Sequence, residues 1–93
     1  MKGAVEVMSR YFALELGKRN ITVNTIAPGA IETDFGGGAV RDNENMNHFI
    51  ASKTALGRAG MPNDIGAAVA ALASQNCNWI NGQRIEISGG MNL

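Results

Sequence analysis

Apolar positions between Lys2 and about Lys18 recur with helical spacing. Val5, Met8, Phe12 and Leu16 fall at i, i+3, i+7 and i+11 on one face, and Val7, Tyr11 and Leu14 make a second stripe on an adjoining face. Together they cover about half the circumference at ~100° per residue, wider than one sheet contact uses. Lys2, Glu6 and Arg10 share the remaining polar side, with Glu6 and Arg10 at i, i+4. Lys18 and Arg19 suit the negative end of the helix dipole, and Asn20 is placed to close the helix. The β-branched run Ile21–Ala27 then predicts a strand, which Pro28-Gly29 stops.

No period holds from Ala30 to about Arg41, a stretch that contains Gly36-Gly37-Gly38. Asp42 or Asn43 is placed to cap a short helix carrying Met46, Phe49 and Ile50. Gly57, Gly60 and Pro62 interrupt the chain, and Asn63 or Asp64 then caps a second long helix to about Ser74, with Ile65, Val69 and Leu72 on one side. Trp79-Ile80, a turn at Asn81-Gly82 and a strand over Gln83–Ile87 complete the pattern. Helix, strand, glycine-rich stretch, helix, strand is a crossover order, which puts two strands in parallel within an α/β sheet. Two strands are too few for a stable parallel sheet. The chain therefore reads as the end of a larger domain, with no second domain and no internal repeat.

Composition narrows the function classes. Eight basic and eight acidic side chains give a net charge of zero, which argues against nucleic acid as a partner, because phosphate binding draws on a basic excess. No Lys/Arg cluster suits an anionic lipid surface. The longest uncharged apolar run, Gly66–Ala73, is far below the ~20 residues that span a bilayer. Glu6, Arg10 and Glu15 interrupt the N-terminal apolar pattern, so it is no signal-peptide core. Cys77 is the only cysteine, which excludes an internal disulfide and a cysteine-based zinc site and points to a reducing, cytoplasmic compartment. No metal site is expected.

Four segments carry a resemblance to a known family. Asn24-Thr25-Ile26-Ala27-Pro28-Gly29, followed by Ile31 and Thr33, resembles the segment after the sixth strand of the short-chain dehydrogenase/reductase family. Arg58-Ala59-Gly60-Met61-Pro62-Asn63-Asp64-Ile65 is similar to that family's entry into its last long helix. Ile80-Asn81-Gly82-Gln83, with Ile85, Ile87 and Gly89-Gly90 behind it, resembles the C-terminal strand. Lys2-Gly3-Ala4 and the helix after them resemble the stretch that starts at the lysine of the Tyr-x-x-x-Lys catalytic pair. The four occur in family order and spacing across essentially the whole chain. Asn81 stands where Thr is usual and Ser88 where Asp is usual, neither at a catalytic position.

The resemblance implies an α/β fold, the C-terminal part of a Rossmann-type doubly wound parallel sheet with about two strands, two long helices and a small lid helix. Residues 2–18 would form the helix after the catalytic lysine, 21–33 the strand and nicotinamide-side loop, 34–60 the substrate lid, and 62–93 the last helix and strand. It implies an oxidoreductase that moves hydride between NAD or NADP and a small carbonyl or alcohol substrate. Lys2 would be the catalytic residue: a nearby ammonium favours the phenolate of a tyrosine whose ordinary pKa is ~10, and the same group reaches the cofactor ribose. Pro28, Gly29 and Ile31 would line the nicotinamide pocket, the Ile31 backbone holding the carboxamide with help from the Thr33 hydroxyl. The residues themselves agree in part, since Pro28-Gly29 ends a strand where open α/β sheets bind ligands, and glycine admits a flat ring.

Asp34–Lys53 is too long and glycine-rich for an ordinary connection and reads as a substrate lid hinged near Gly36–Gly38. The family tyrosine would stand four positions before Lys2, and neither the family serine nor a glycine-rich phosphate turn occurs in these residues. The 93-residue chain alone is therefore expected to be inactive. A non-catalytic module that associates with full-length relatives is the competing reading. The family pairs this helix with its copy in dimers and tetramers, so a homo-oligomer is expected, with Val7, Tyr11 and Leu14 at the seam and the Phe12 stripe inward. His48 reads as a surface histidine, Cys77 and Trp79 as packing residues, Asp64 as a helix start and Glu86 as a solvated strand position.

Overall fold

The computed structural model describes residues 2–93, with side chains from Gly3 onward. In chain order it contains α1 (Lys2–Leu16), β1 (Thr25–Pro28), α2 (Ala39–Asp42), α3 (Glu44–Ser52), α4 (Pro62–Leu72) and β2 (Arg84–Ile87). Single 3-10 turns cover Gly17–Arg19 and Gln75–Cys77, and Gly36–Gly38 form a left-handed glycine turn. β1 and β2 pair in parallel, as the crossover order requires. The residues group into two compact units: one runs to Ala27 and includes Val69–Ile85, the other comprises Pro28–Ala68 and Glu86–Leu93.

In the first unit α1 ends as its sequence predicts. Asn20 takes the left-handed conformation at φ 58° and its N–H donates to the Gly17 carbonyl. The face that α1 turns to the strands differs from expectation. Ser9 and Thr25 hydroxyls meet at 2.9 Å, Arg84 Nε lies 2.8 Å from Glu6 Oε1, and Ala13 is 5% exposed, beside Gly82. The inward stripe is thus Glu6, Ser9 and Ala13, small or polar side chains, with no large apolar residue among them. Phe12, at 47% exposure, and Leu14, at 79%, both lie outside it. Small side chains let a helix approach strand backbone closely, and Glu6 is tolerated there because Arg84 neutralises it.

The strand is also shorter than the β-branched run. Two asparagines take over the pairing at its start: Val23 N–H donates to Asn81 Oδ1 (2.9 Å), Asn24 Nδ2 donates to the Ile80 carbonyl (3.0 Å), and Asn24 Oδ1 accepts from Gln83 N–H (3.0 Å). Backbone pairing takes over at Thr25, whose N–H donates to the Gln83 carbonyl at 2.8 Å. Trp79 is 97% exposed and does not pack under the turn.

In the second unit Asn43 caps α3, its side chain accepting from Met46 N–H at 3.0 Å. α4 starts on Pro62, two residues before a cap at Asn63 would place it, and proline suits the first helical position because its missing N–H costs nothing there. Asp64 serves as a reach-back acceptor for Met61 N–H (2.7 Å), the second half of a capping box. Ile50, Ala59 and Thr54 are buried at 5–8% exposure. The chain's end is sewn to the end of α3: Ala55 and Leu56 N–H donate to Gly90 and Gly89 carbonyls, and Asn92 N–H donates to Lys53.

Candidate functional site

The loop Pro28–Thr33 leaves the carboxyl end of β1, the edge at which open α/β sheets bind ligands. Gly29 N–H donates to the Ile87 carbonyl at 2.9 Å, continuing the pairing past the strand. A side-chain carbon on Gly29 would stand 2.8 Å from Ser88 Cβ and 2.9 Å from Ser88 Cα. Glycine is needed there for Ser88, the residue after β2, to close against the loop.

Ile31 forms an isolated parallel bridge with Gly60. Gly60 N–H donates to the Ala30 carbonyl (2.9 Å), and its carbonyl accepts from Glu32 N–H (2.8 Å). In such a bridge the central residue's own N–H and C=O point the other way. Those of Ile31 have no protein partner among the described residues. The loop therefore offers one donor and one acceptor, adjacent and rigidly held. In the sequence Gly60 was legible as a chain break and as part of the helix-entry segment, with no role against Ile31. The signal for its role, an absent side chain against Ile31, belongs to the fold.

Around this bridge a cavity of about 160 Å³ is lined by Ala30, Ile31, Leu56, Arg58, Gly60 and Ser88, among others. Arg58 Nη1 and Nη2 grip Asp64 Oδ2 and Oδ1 at 2.8 and 3.1 Å. That guanidinium, with the Met61 N–H, holds the Asp64 carboxyl down at about 2, while Asp64 raises Arg58 in turn. With both charges spent on each other, the pair serves the loop's architecture.

Thr33 Oγ accepts from Phe35 N–H at 3.2 Å, which turns the chain out of the loop. Asn47, unremarked in the sequence, is the junction of the following segment: its Nδ2 donates to Glu32 Oε1 (2.7 Å) and to the Val40 carbonyl (2.9 Å). Pro28 is exposed at the strand end, while Gly29, Ile31 and Thr33 are half-buried. These four lie on one short loop; the side chain of Lys2 lies outside the described residues. His48 is exposed. Among the described residues no His, Cys, Asp or Glu side chains cluster as metal ligands do, and no helix is long and apolar enough to cross a membrane.

A family model described as enoyl-(acyl carrier protein) reductase matches residues 1–92. A trihydroxynaphthalene reductase of Pestalotiopsis fici is 39% identical over 97 residues, covering 95% of this chain and 34% of its own length. The structure of a 4-hydroxyisoleucine dehydrogenase complexed with NADH superposes with a TM-score of 0.83 at 34% identity, over 96% of this chain and 36% of that one. An angucycline C-6 ketoreductase with bound NADP gives 0.83 at 35% identity, over 98% and 34%. The chain spans about a third of the length of the proteins it matches. With a family model matched over nearly every residue and a fold shared with Rossmann-type members, the chain belongs to the short-chain dehydrogenase/reductase family.

Proposed function

We propose that this chain forms the nicotinamide-side wall and substrate lid of an NAD(P)-dependent oxidoreductase acting on a carbonyl or alcohol substrate in the cytoplasm. The observation that carries the reading is the bridge at Ile31, whose peptide leaves one N–H and one C=O unpaired among the described residues at the carboxyl end of β1. A carboxamide presents one acceptor and one donor, the complement of that pair. The nicotinamide, when bound, supplies or takes the hydride. Ile31 orients its ring, Thr33 adds a hydroxyl at the loop's end, and the exposed Pro28 supplies an apolar wall. Gly29 serves the site indirectly, by letting Ser88 close behind the loop. Lys2, at the start of α1, keeps the lysine role of the family motif, favouring a tyrosine phenolate and reaching the ribose.

The test is turnover. The protein that contains this chain should oxidise NADH or NADPH with a ketone, and the two cofactors are assayed side by side. Lys2→Ala should lower kcat by about 100-fold or more. Thr33→Ala should weaken cofactor binding by about 1 kcal/mol, the worth of one hydrogen bond. The 93-residue chain assayed by itself should give no turnover. Full activity in Lys2→Ala would overturn the assignment.

A second reading rests on α1. Its apolar side chains away from the strands are exposed, Val7 at 44%, Tyr11 at 69% and Leu14 at 79%. A face of that kind marks an association surface, which suits a homo-oligomer of the enzyme and equally a non-catalytic module that associates with full-length relatives.

A further inference from the structure

Between Thr33 and Val40 the chain makes a loop whose base and rim are held by different chemistry. The base is fixed by Asn47, whose single amide group bonds Glu32 on one side of the loop and Val40 on the other. Beyond Val40, Asn43 caps α3, and the end of α3 is bonded to the C-terminal tail through Lys53, Ala55 and Leu56. Of the long segment read as a lid, only Asp34–Ala39 lies outside these anchors. Inside it, Gly36, Gly37 and Gly38 all take left-handed φ values, 64°, 74° and 78°, which glycine alone adopts freely.

One charged contact spans this loop. Arg41 Nε and Nη2 each lie 2.8 Å from the Asp42 carboxylate, a two-point grip that aims the remaining Nη1 across the loop to Asp34 Oδ1. Gly38 lies directly beneath. A side-chain carbon there would stand 2.5 Å from Arg41 Nη2 and 2.7 Å from Asp42 Oδ2, so the absence of a side chain makes room for the clasp. Gly38 N–H donates to the Asp34 carbonyl at 3.1 Å, closing the same loop through the backbone. Phe35, 91% exposed, rides on it.

We propose that the moving part of the lid is confined to Asp34–Ala39 and that Arg41 is its positioning residue, a latch held by Asp42 on the anchored side that releases the glycine turn when it lets go of Asp34. The lid role rests on the function proposed above; the latch itself does not. An exposed pair of this kind is weak and screened by salt, which suits a closure that must open in every cycle. The side chains of Asp34 and Arg41 are 94% and 45% exposed.

Amide hydrogen exchange in the full chain, without cofactor, tests this. Gly38 N–H reports the loop, and Glu32 and Asn47 N–H, bonded to Gly60 and Asn43 carbonyls, report its anchors. Arg41→Ala should speed exchange at Gly38 by about two- to five-fold and leave the two anchor amides unchanged. Asp34→Asn should act in the same direction, and Arg41→Lys, which lacks the fork, should restore only part of the protection. Raising sodium chloride should speed Gly38 exchange in the unaltered protein and have no effect in Arg41→Ala. Unchanged exchange at Gly38 in both variants would overturn the latch. So would equal loss at Gly38 and at the anchors, because the ion pairs would then hold the whole unit. Failure of hydride transfer in the turnover assay, with the latch intact by exchange, would overturn the proposed function alone.

Discussion

Gly29 and Asp64 show how a residue's neighbours decide what its substitution costs. A valine at position 29 must displace Ser88, whose Cα and Cβ occupy the space of the missing side chain. Gly29→Val is therefore expected to destabilise the fold by about 1–3 kcal/mol, the range for forcing atoms into a filled site, with any loss of cofactor affinity following from that. Denaturant midpoints of the two proteins check it, and an unchanged midpoint with weaker cofactor binding would restore the reading of Gly29 as a ring-facing position. Asp64 supports a pH prediction. Its carboxyl sits at about 2 in the folded chain, chiefly through Arg58 and then through Met61 N–H, against ~3.9 when unfolded. A depressed folded pKa means the contribution is complete above pH ~4 and is lost as pH falls toward 2. Amides at the start of α4 should lose protection in that window, and Asp64→Asn, which keeps an acceptor for Met61 N–H but no charge, should abolish the pH dependence. No such change in the unaltered chain would show the pair to be inert.

At the scale of elements, α1 departs furthest from its pattern. Hydrophobic spacing identifies the helix and its two apolar stripes, yet the strands receive the narrow strip between the first stripe and the charged side, where Ser9 and Ala13 stand. Period analysis rewards large apolar residues and is silent on small ones, although small ones allow the closest approach to a strand. Ala13→Leu is accordingly expected to cost about 1–3 kcal/mol of stability, while Phe12→Lys and Leu14→Lys fold normally. If the chain associates through α1 as proposed, Leu14→Lys should split that assembly, because an unpaired charge at an apolar seam is costly. Sedimentation of the two lysine variants reads the outcome: dissociation by Phe12→Lys with Leu14→Lys still associated would move the seam to the first stripe. α4 follows the same logic in a milder form, with Ile65, Ala68 and Leu72 half-buried while Val69 is 44% exposed.

Over the whole chain, the expectation that 93 residues alone give no turnover belongs with its length, about a third of that of the proteins it matches. Its own residues by themselves determined the element order, the parallel pairing, a helix cap at Asp42 or Asn43, the close at Asn20 and the position of the loop after β1, because these depend on local chemistry: β-branching, side-chain acceptors one turn from an N–H, glycine and proline as punctuation. The family was legible for the same reason, its motifs being short and ordered along the chain. The strand's late start, the inward face of α1, the true neighbour of Gly29, the bridge that frees Ile31's peptide and the Asn47 and Arg41 ties were decided only by tertiary structure. Each depends on which residue arrives opposite from a distant part of the chain, as Asn81 does for Val23 and Gly60 for Ile31. Periodicity along one segment carries no information about what the other segment brings to meet it.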